Sequence, residues 1–150
     1  MIELKVKKIS NQATIPEYQT KGAACFDIAA AKDIDWVQEA FNDTFVYTAT
    51  IPTGLAFEIP EGYRMDIYPR SGWGFKYNIQ LANGTGKIDS DYRGELMVKL
   101  ICFSNKPQQI KVGTRIAQGE INPVYQAKFK EVEELSDTER GSNGFGSTGH

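Results

Sequence analysis

Histidine is almost missing from this 150-residue chain, its one copy being His150. Without an internal imidazole, Ser-His-Asp and Cys-His nucleophilic systems and the usual His-containing zinc sites are excluded. Carboxylates must carry any acid-base chemistry. Cysteine is scarce as well: Cys25 and Cys102 sit in the apolar runs Ala23-Ala24-Cys25-Phe26 and Leu100-Ile101-Cys102-Phe103, where small buried thiols are the simplest reading and redox chemistry has little support. No run approaches the roughly 20 apolar residues that cross a bilayer. The opening Met1-Ile2-Glu3-Leu4-Lys5 alternates charge with apolar residues and lacks the apolar centre of a signal peptide, so the expected location is the reducing cytoplasm. There Asn42-Asp43-Thr44 and Asn83-Gly84-Thr85 have no consequence as glycosylation patterns. An excess of positive charge is also missing: 17 basic residues stand against 19 acidic ones, which gives no global attraction to nucleic acid or a membrane. Any phosphate site must be local.

What is present is an ordinary globular composition, 41% hydrophobic and 24% charged, on a chain long enough for one domain with its own core. Period-two alternation recurs along it. Ile2, Leu4 and Val6 lie on one side of a first segment and Glu3, Lys5 and Lys7 on the other. The pattern returns at Phe45 to Ile51, Leu55 to Ile59, Tyr63 to Ile67, and Leu96 to Cys102. Turn signals separate these runs at Pro52-Thr53-Gly54, Pro60-Glu61-Gly62, Asn83-Gly84, Asn105-Lys106-Pro107 and Val112-Gly113. Short strands punctuated this often predict an all-β sandwich or barrel. Helical periodicity is weak: one short helix at most is expected, and its best candidate is Phe129, Val132 and Leu135, a set equally compatible with a strand leaving the core.

Composition shifts near residue 136. From there the chain has four Gly in its last ten residues and one large apolar side chain, Phe145. Such a segment cannot bury enough surface to offset its ordering entropy. A plain disordered tail is one reading; a flap that closes on a base and a polyphosphate is the other, favoured by Arg140 before Phe145 and Ser147-Thr148 after it.

Two motifs are decoys. Gly144-Phe145-Gly146-Ser147-Thr148-Gly149 fits a dinucleotide fingerprint, but no βαβ unit follows it. Gly84-Thr85-Gly86-Lys87 resembles the end of a P-loop, yet Leu81 replaces its first Gly and Ile88 its Ser or Thr. What survives is Pro69-Arg70-Ser71-Gly72, then Asn83, then Ile88-Asp89-Ser90-Asp91-Tyr92-Arg93-Gly94. A Ser hydroxyl and turn N–H groups beside an Arg make an oxyanion cradle, although an ordinary turn has the same residues. Asp89 and Asp91, two apart, project to one side of an extended segment as a metal pair, a base with its helper, or two solvated turn residues. Spacing alone does not choose.

In this order the motifs are similar to those of the trimeric deoxyuridine triphosphatases (dUTPases). The resemblance runs through Ala24-Cys25-Phe26-Asp27-Ile28, Pro69-Arg70-Ser71-Gly72, Asn83 to Gly94, Gly113-Thr114-Arg115-Ile116-Ala117-Gln118, and Arg140 to Gly149. It implies a distorted jelly roll, a β-clip barrel, in a homotrimer whose shared active sites hydrolyse dUTP to dUMP and pyrophosphate. That reaction keeps uracil out of DNA and supplies dUMP for thymidylate synthesis. Residues 1–135 would form the β domain and 136–150 a mobile flap completing the site. By the same likeness Asp89 is the general base, Tyr92 lies under the sugar and excludes a 2′-hydroxyl, and Asn83 with its hairpin backbone reads uracil. Ser71 and Gln118 hold phosphate oxygens, with Gly72 in the same cradle. Arg140, Ser147 and Thr148 reach the γ-phosphate, and Phe145, followed by Gly146, stacks on the base. Asp27 positions Mg2+ through water, since that ion keeps much of its hydration and binds mainly to phosphates. Arg70 is assigned to the substrate or to holding Asp91, with Asp91 taken as its structural partner; Arg93 and Arg115 are expected to be ion-paired.

The chain departs from the family pattern in several places. Cys25 and Phe26 replace Gly and Tyr, Trp73 replaces Leu, and Lys87 stands where an apolar residue is usual. The stretch from Lys32 to Thr44 is longer than the minimal loop. Two rivals share the scaffold: a dCTP deaminase, against which Asp89-Ser90-Asp91-Tyr92 argues, and a regulator that binds nucleotide without turnover, against which Asp27, Asp89 and the tail argue.

Overall fold

The computed structural model describes residues 2–105 and 107–144. Nine strands and one short helix follow each other along the described chain. They are β1 (Lys5–Lys8), β2 (Phe26–Ala29), β3 (Val37–Phe41), β4 (Thr44–Glu58), β5 (Tyr63–Tyr68), α1 (Ser71–Tyr77), β6 (Ile79–Leu81), β7 (Gly86–Ile88), β8 (Glu95–Cys102) and β9 (Arg115–Pro123). All pairings are antiparallel. One sheet runs β1-β4-β8-β6 with β3 also on β4, and the other runs β2-β9-β5-β7.

The core lies where the apolar sides of the two sheets meet. Leu96, Val98, Leu100 and Cys102 of β8 are buried, while Met97 and Lys99 between them are exposed, which is the alternation expected of a strand with one dry side. Ile51, Leu55, Met65, Ile79 and Ile116 are fully enclosed in the same cluster. Burying each such side chain stabilises the fold by about 1.5–3 kcal/mol.

The all-β expectation holds, and a strand forms on each of the alternating runs, although Ile2 lies exposed ahead of β1 and, at the start of β4, Phe45 is exposed while Val46 and Thr48 are buried. The turn expected at Pro52-Thr53-Gly54 is instead an irregularity inside β4, where the register with β8 shifts between Pro52 and Ala56. Its polar groups are satisfied within the sheets. The buried Thr53 hydroxyl donates to the Leu96 carbonyl at 2.7 Å, and the Gly54 N–H donates to Glu95 Oε1 at 2.7 Å. The helix also falls elsewhere than expected: the segment around Phe129, Val132 and Leu135 has no regular structure and leaves Phe129 and Leu135 exposed. The one helix, α1, has Trp73 and Tyr77 one turn apart against the core and ends at Asn78 in the left-handed conformation (φ 54°).

Of the two cysteines, Cys102 is fully buried, but Cys25 is only partly so. The long stretch from Lys32 also has a structural account. Ile34 bridges Ile110, Trp36 Nε1 donates to the Gln108 carbonyl at 2.7 Å, and β3 then pairs along the start of β4 as an added hairpin arm.

Gly54 combines a left-handed backbone with close packing. Its φ is +66°, and an added Cβ would lie 2.8 Å from Ser10 Cβ and 2.9 Å from Ala13 Cβ. Left-handed strain and overpacking each cost about 1–3 kcal/mol. Gly54→Ala is therefore expected to destabilise the protein by about 2–5 kcal/mol in urea unfolding, while Gly62→Ala, also at positive φ but in open space, costs only the strain.

Candidate active site

At one end of the second sheet, β2, β9 and the start of α1 converge on Asp27. Register places Asp27 beside Gln118 of β9, and Gln118 beside Tyr68 of β5, so the side chains of all three strands meet on the side away from the core. Arg70 Nε donates to Asp27 Oδ1 at 3.1 Å and Arg115 Nη1 to Oδ2 at 2.9 Å. Arg70 Nη1 also reaches the Arg115 carbonyl at 3.4 Å. Two guanidiniums on one carboxylate leave a net positive charge, with N–H groups of both arginines still free for another anion. Gln118 donates one amide hydrogen to the Pro69 carbonyl at 3.0 Å, which fixes the chain just before α1. Ser71 and Gly72 then occupy the exposed first turn of α1, where backbone N–H groups have no intrahelical acceptor. A Cβ on Gly72 would meet nothing within 4 Å, so no packing inside this chain requires glycine there. A ligand pressed against the backbone would.

This corrects the expectation for Arg70: its carboxylate partner is Asp27, not Asp91. Arg115 is ion-paired as expected. Arg93 makes no ion pair among the described residues; its Nη1 donates to the backbone carbonyls of Ser90 at 2.6 Å and Tyr92 at 3.1 Å. The Phe26 departure has a packing reason. Phe26 faces Gly119 across the β2–β9 pair, its ring occupies the space a Cβ there would need, and it meets the Tyr18 ring edge-on at 5.6 Å.

The remaining candidates flank β7: Asn83 precedes it at the Ile67 end of its pairing with β5, and Asp89 follows it at the Met65 end. Asn83 sits exposed at the tip of the loop between β6 and β7, strands that belong to different sheets. A cleft of about 400 Å³ opens beneath this corner, lined by Leu81, Ala82, Asn83, Gly86 and Ile88. Past β7 the chain turns, with the Tyr92 N–H donating to the Asp89 carbonyl at 3.2 Å. Asp89, Ser90 and Asp91 line a larger cleft of about 940 Å³ together with Glu58 and Arg64. The Tyr92 phenol folds back over Gly94, whose missing side chain makes room for the ring, and its hydroxyl donates to the Glu95 carbonyl at 3.0 Å. The ring is thus fixed from both ends.

One chain does not bring Asp89 to the cradle. Ile88 pairs with Met65 and Gln118 with Tyr68, so Asp89 lies near the Arg64 end of β5 and the Arg70–Ser71–Gln118 cradle beyond its Tyr68 end. The four strand steps between Arg64 and Tyr68 alone span about 13 Å. Arg140 is exposed, and its Nε donates to the Asn143 carbonyl at 3.1 Å within a local turn. Phe145, Gly146, Ser147 and Thr148 lie outside the described residues. Among the described residues, no group of three or more His, Cys, Asp or Glu side chains is placed to hold a metal ion.

Sequence reasoning passed over Asp66, which lies between the core residues Met65 and Ile67 but on the opposite side of β5, and is only 1% exposed. Arg64 Nε donates to both its oxygens at 2.9 and 3.2 Å, Lys87 Nζ lies 2.7 Å from Oδ1, and Asn122 Nδ2 donates to Oδ2 at 2.8 Å. The one available signal was a charge two residues after Arg64 in an alternating run.

The chain matches a family model described as dUTPase over residues 11–149. The deoxyuridine 5'-triphosphate nucleotidohydrolase of Nautilia profundicola is 52% identical over 148 residues, covering 99% of each chain. That of Bdellovibrio bacteriovorus is 44% identical over 149 residues, covering 99% of this chain and 97% of the relative. Among solved structures, a mutant of the Staphylococcus bacteriophage 80alpha dUTPase with dUpNHpp superposes with a TM-score of 0.81 at 32% identity, covering 99% of each chain. A mutant dUTPase from phage phi11 of S. aureus, described with a structural Mg(II) ion, superposes with a TM-score of 0.71 at 29% identity, covering 89% of this chain and 98% of the other.

Burial alone would raise the Asp66 carboxyl pKa, but hydrogen bonds from Arg64, Lys87 and Asn122 outweigh it and hold the value at about 2. A value depressed in the folded state means stability that is present above the unfolded pKa, near 3.8, and lost as pH falls toward 2. The shift corresponds to about 2–2.5 kcal/mol. Acid unfolding followed between pH 5 and 2 is expected to show this loss in the wild type, and a correspondingly smaller loss in Asp66→Asn.

Proposed function

The chain belongs to the dUTPase family, and from that premise we propose that it hydrolyses dUTP to dUMP and pyrophosphate by attack of water on the α-phosphorus. The family match over nearly the whole chain carries this reading. The geometry supports it, with a net-positive Arg70–Asp27–Arg115 group beside an open glycine cradle, and an exposed carboxylate, Asp89, beside a tyrosine fixed over Gly94.

In this reading Asp89 takes the proton of the attacking water. Arg70, Ser71, Gly72 and Gln118 bind the phosphates, whose negative charge the uncompensated guanidinium neutralises. Asn83 and the backbone of its loop meet the uracil edge in the cleft between the sheets. The Tyr92 ring underlies the sugar and leaves no room for a 2′-hydroxyl, a steric discrimination that needs the ring held still. No imidazole is required, because phosphoryl transfer asks the protein mainly for positioning and charge.

Asp27 fits a hydrated Mg2+ carried by the phosphates. Each of its oxygens keeps a lone pair beyond its Arg bond, enough to accept a hydrogen bond from a metal-bound water. Bound there, the ion would neutralise charge on the triphosphate.

In this reading the cradle of one copy works with the Asp89 of another in a homotrimer with shared sites, and the placement of Asp89 and the cradle at opposite ends of β5 supports it. Among the described residues no helix is long and apolar enough to cross a membrane, and a cytoplasmic role in dUTP removal and dUMP supply suits the reaction. Residues 136–150 complete the site as a flap, with Arg140, Ser147 and Thr148 on the γ-phosphate and Phe145, followed by Gly146, on the base.

Three experiments test this reading. Hydrolysis of dUTP with Mg2+ in oxygen-18 water is expected to place the label in dUMP; label in pyrophosphate, or no turnover, would overturn it. Asp89→Asn is expected to lower kcat by about a hundredfold or more with nucleotide binding largely kept. Ending the chain after Glu139 is expected to leave a folded protein that binds dUTP weakly and turns it over far more slowly, since closure excludes water and fixes the phosphates. Full activity of that shortened chain would remove the flap role.

A further inference from the structure

We propose that Asp66 is a positioning residue for the hydrolysis, holding the Lys87 ammonium away from the carboxylate that activates water. The proposal rests on the assignment of Asp89 as general base.

Asp66 and Lys87 are direct cross-strand partners on β5 and β7, and their side chains meet at 2.7 Å. Two residues beyond Lys87, just past the end of β7, the chain reaches Asp89, which lines the same cleft as Arg64, another partner of Asp66. The flexible four-carbon stem of Lys87 therefore has two carboxylates to choose from, one across the sheet and one just past the end of its own strand.

The structure favours the first for a physical reason. Asp66 is enclosed, so its pairing is little screened, whereas Asp89 is exposed in an open cleft where a lysine pair gains little. Asp66 also cannot be left without cations, because an unpaired buried carboxylate is strongly destabilising.

The neighbouring cations are diverted in the same way. Arg64, which lines the cleft with Asp89, gives its Nε to Asp66 and its Nη1 to the Pro123 carbonyl at 3.0 Å. Arg93, also in that cleft, gives its Nη1 to backbone carbonyls. As a result, among the described residues no ion pair includes Asp89. A general base needs that freedom. A lysine on it would stabilise its charged form and occupy the lone pair that must take the proton of water.

Arg64 keeps its Pro123 anchor if Asp66 is neutralised, but Lys87 has Asp66 as its only carboxylate among the described residues. Lys87 is thus the cation that would be released toward Asp89.

The test is a set of variants assayed for kcat and KM on dUTP, with thermal melts as a check on folding. Asp66→Asn is expected to lower kcat about tenfold with KM within about twofold of wild type. Lys87→Met, which keeps the stem and removes the charge, is expected to leave kcat within about twofold, and adding Lys87→Met to Asp66→Asn should restore kcat to about that level. A residue needed only for the fold would give a double variant no better than Asp66→Asn. That result, an unchanged kcat in Asp66→Asn, or a large loss in Lys87→Met alone would each overturn the proposal. If Asp66→Asn does not accumulate folded, Asp66→Ser is read by the same criteria. Asp89→Asn in the wild-type background separates the two levels. If it retains turnover, the assignment of the base fails; if it abolishes turnover and the rescue is absent, only the role of Asp66 fails.

Discussion

The carboxylate of Asp27, with an arginine on each oxygen, is the interaction on which the rest of the candidate site depends. It ties β2, β9 and the residue preceding α1 at one point, with its side chain only 14% exposed. A partly buried ion pair contributes less to stability than its Coulomb energy suggests, because both charges lose water. Here the arrangement is uneven: two cations share one anion, and the surplus positive charge faces the cradle at Ser71 and Gly72. Removing Asp27 would leave two arginines repelling each other; removing either arginine would cancel the surplus. The geometry serves a polyanion better than it serves the fold.

The second sheet repeats this logic along its length. Met65 and Ile67 point into the core, while Arg64, Asp66 and Tyr68 point away from it, and the partners of those outward residues on β7 and β9 are polar as well. A strand with one dry side and one charged side has a fixed register, since a slip of one residue would bury its charges. The functional side chains inherit that precision. Gln118 and Asp27 at one end of the sheet, and the turn carrying Asp89 at the other, are placed by the same alternation that builds the core.

Much of this was legible in the sequence. The alternating runs marked β1, β4, β5 and β8, because burial on one side writes itself into the residue pattern with period two. The helix was not legible: seven residues with two glycines, Gly72 and Gly74, carry almost no helical signal, and α1 exists because Trp73 and Tyr77 find the core from one side of it. Pro52-Thr53-Gly54 read as a turn because its residues are turn formers; only the partners Ser10, Ala13, Ala31 and Glu95, distant in sequence, show it to be a kink within a strand. The motif residues of the site could be listed from the sequence, but not their pairing. Arg70 stands nearer in sequence to Asp91 than to Asp27, and only the antiparallel neighbours β2 and β9 bring Asp27 to it. Asp66 was hidden for the same reason, since two of the groups that satisfy it, Lys87 and Asn122, come from two other strands.

The separation of the Asp89 turn from the Arg70–Ser71–Gln118 cradle along β5 has a genetic consequence. If a working site takes one end from each of two copies, a chain damaged at Asp89 still offers an intact cradle, and a chain damaged at Ser71 still offers an intact base. Two alleles inactive alone would then complement each other in one cell, because mixed assemblies rebuild some complete sites. Two lesions at the same end would not. Inheritance patterns at this locus would therefore map onto the two ends of a single six-residue strand.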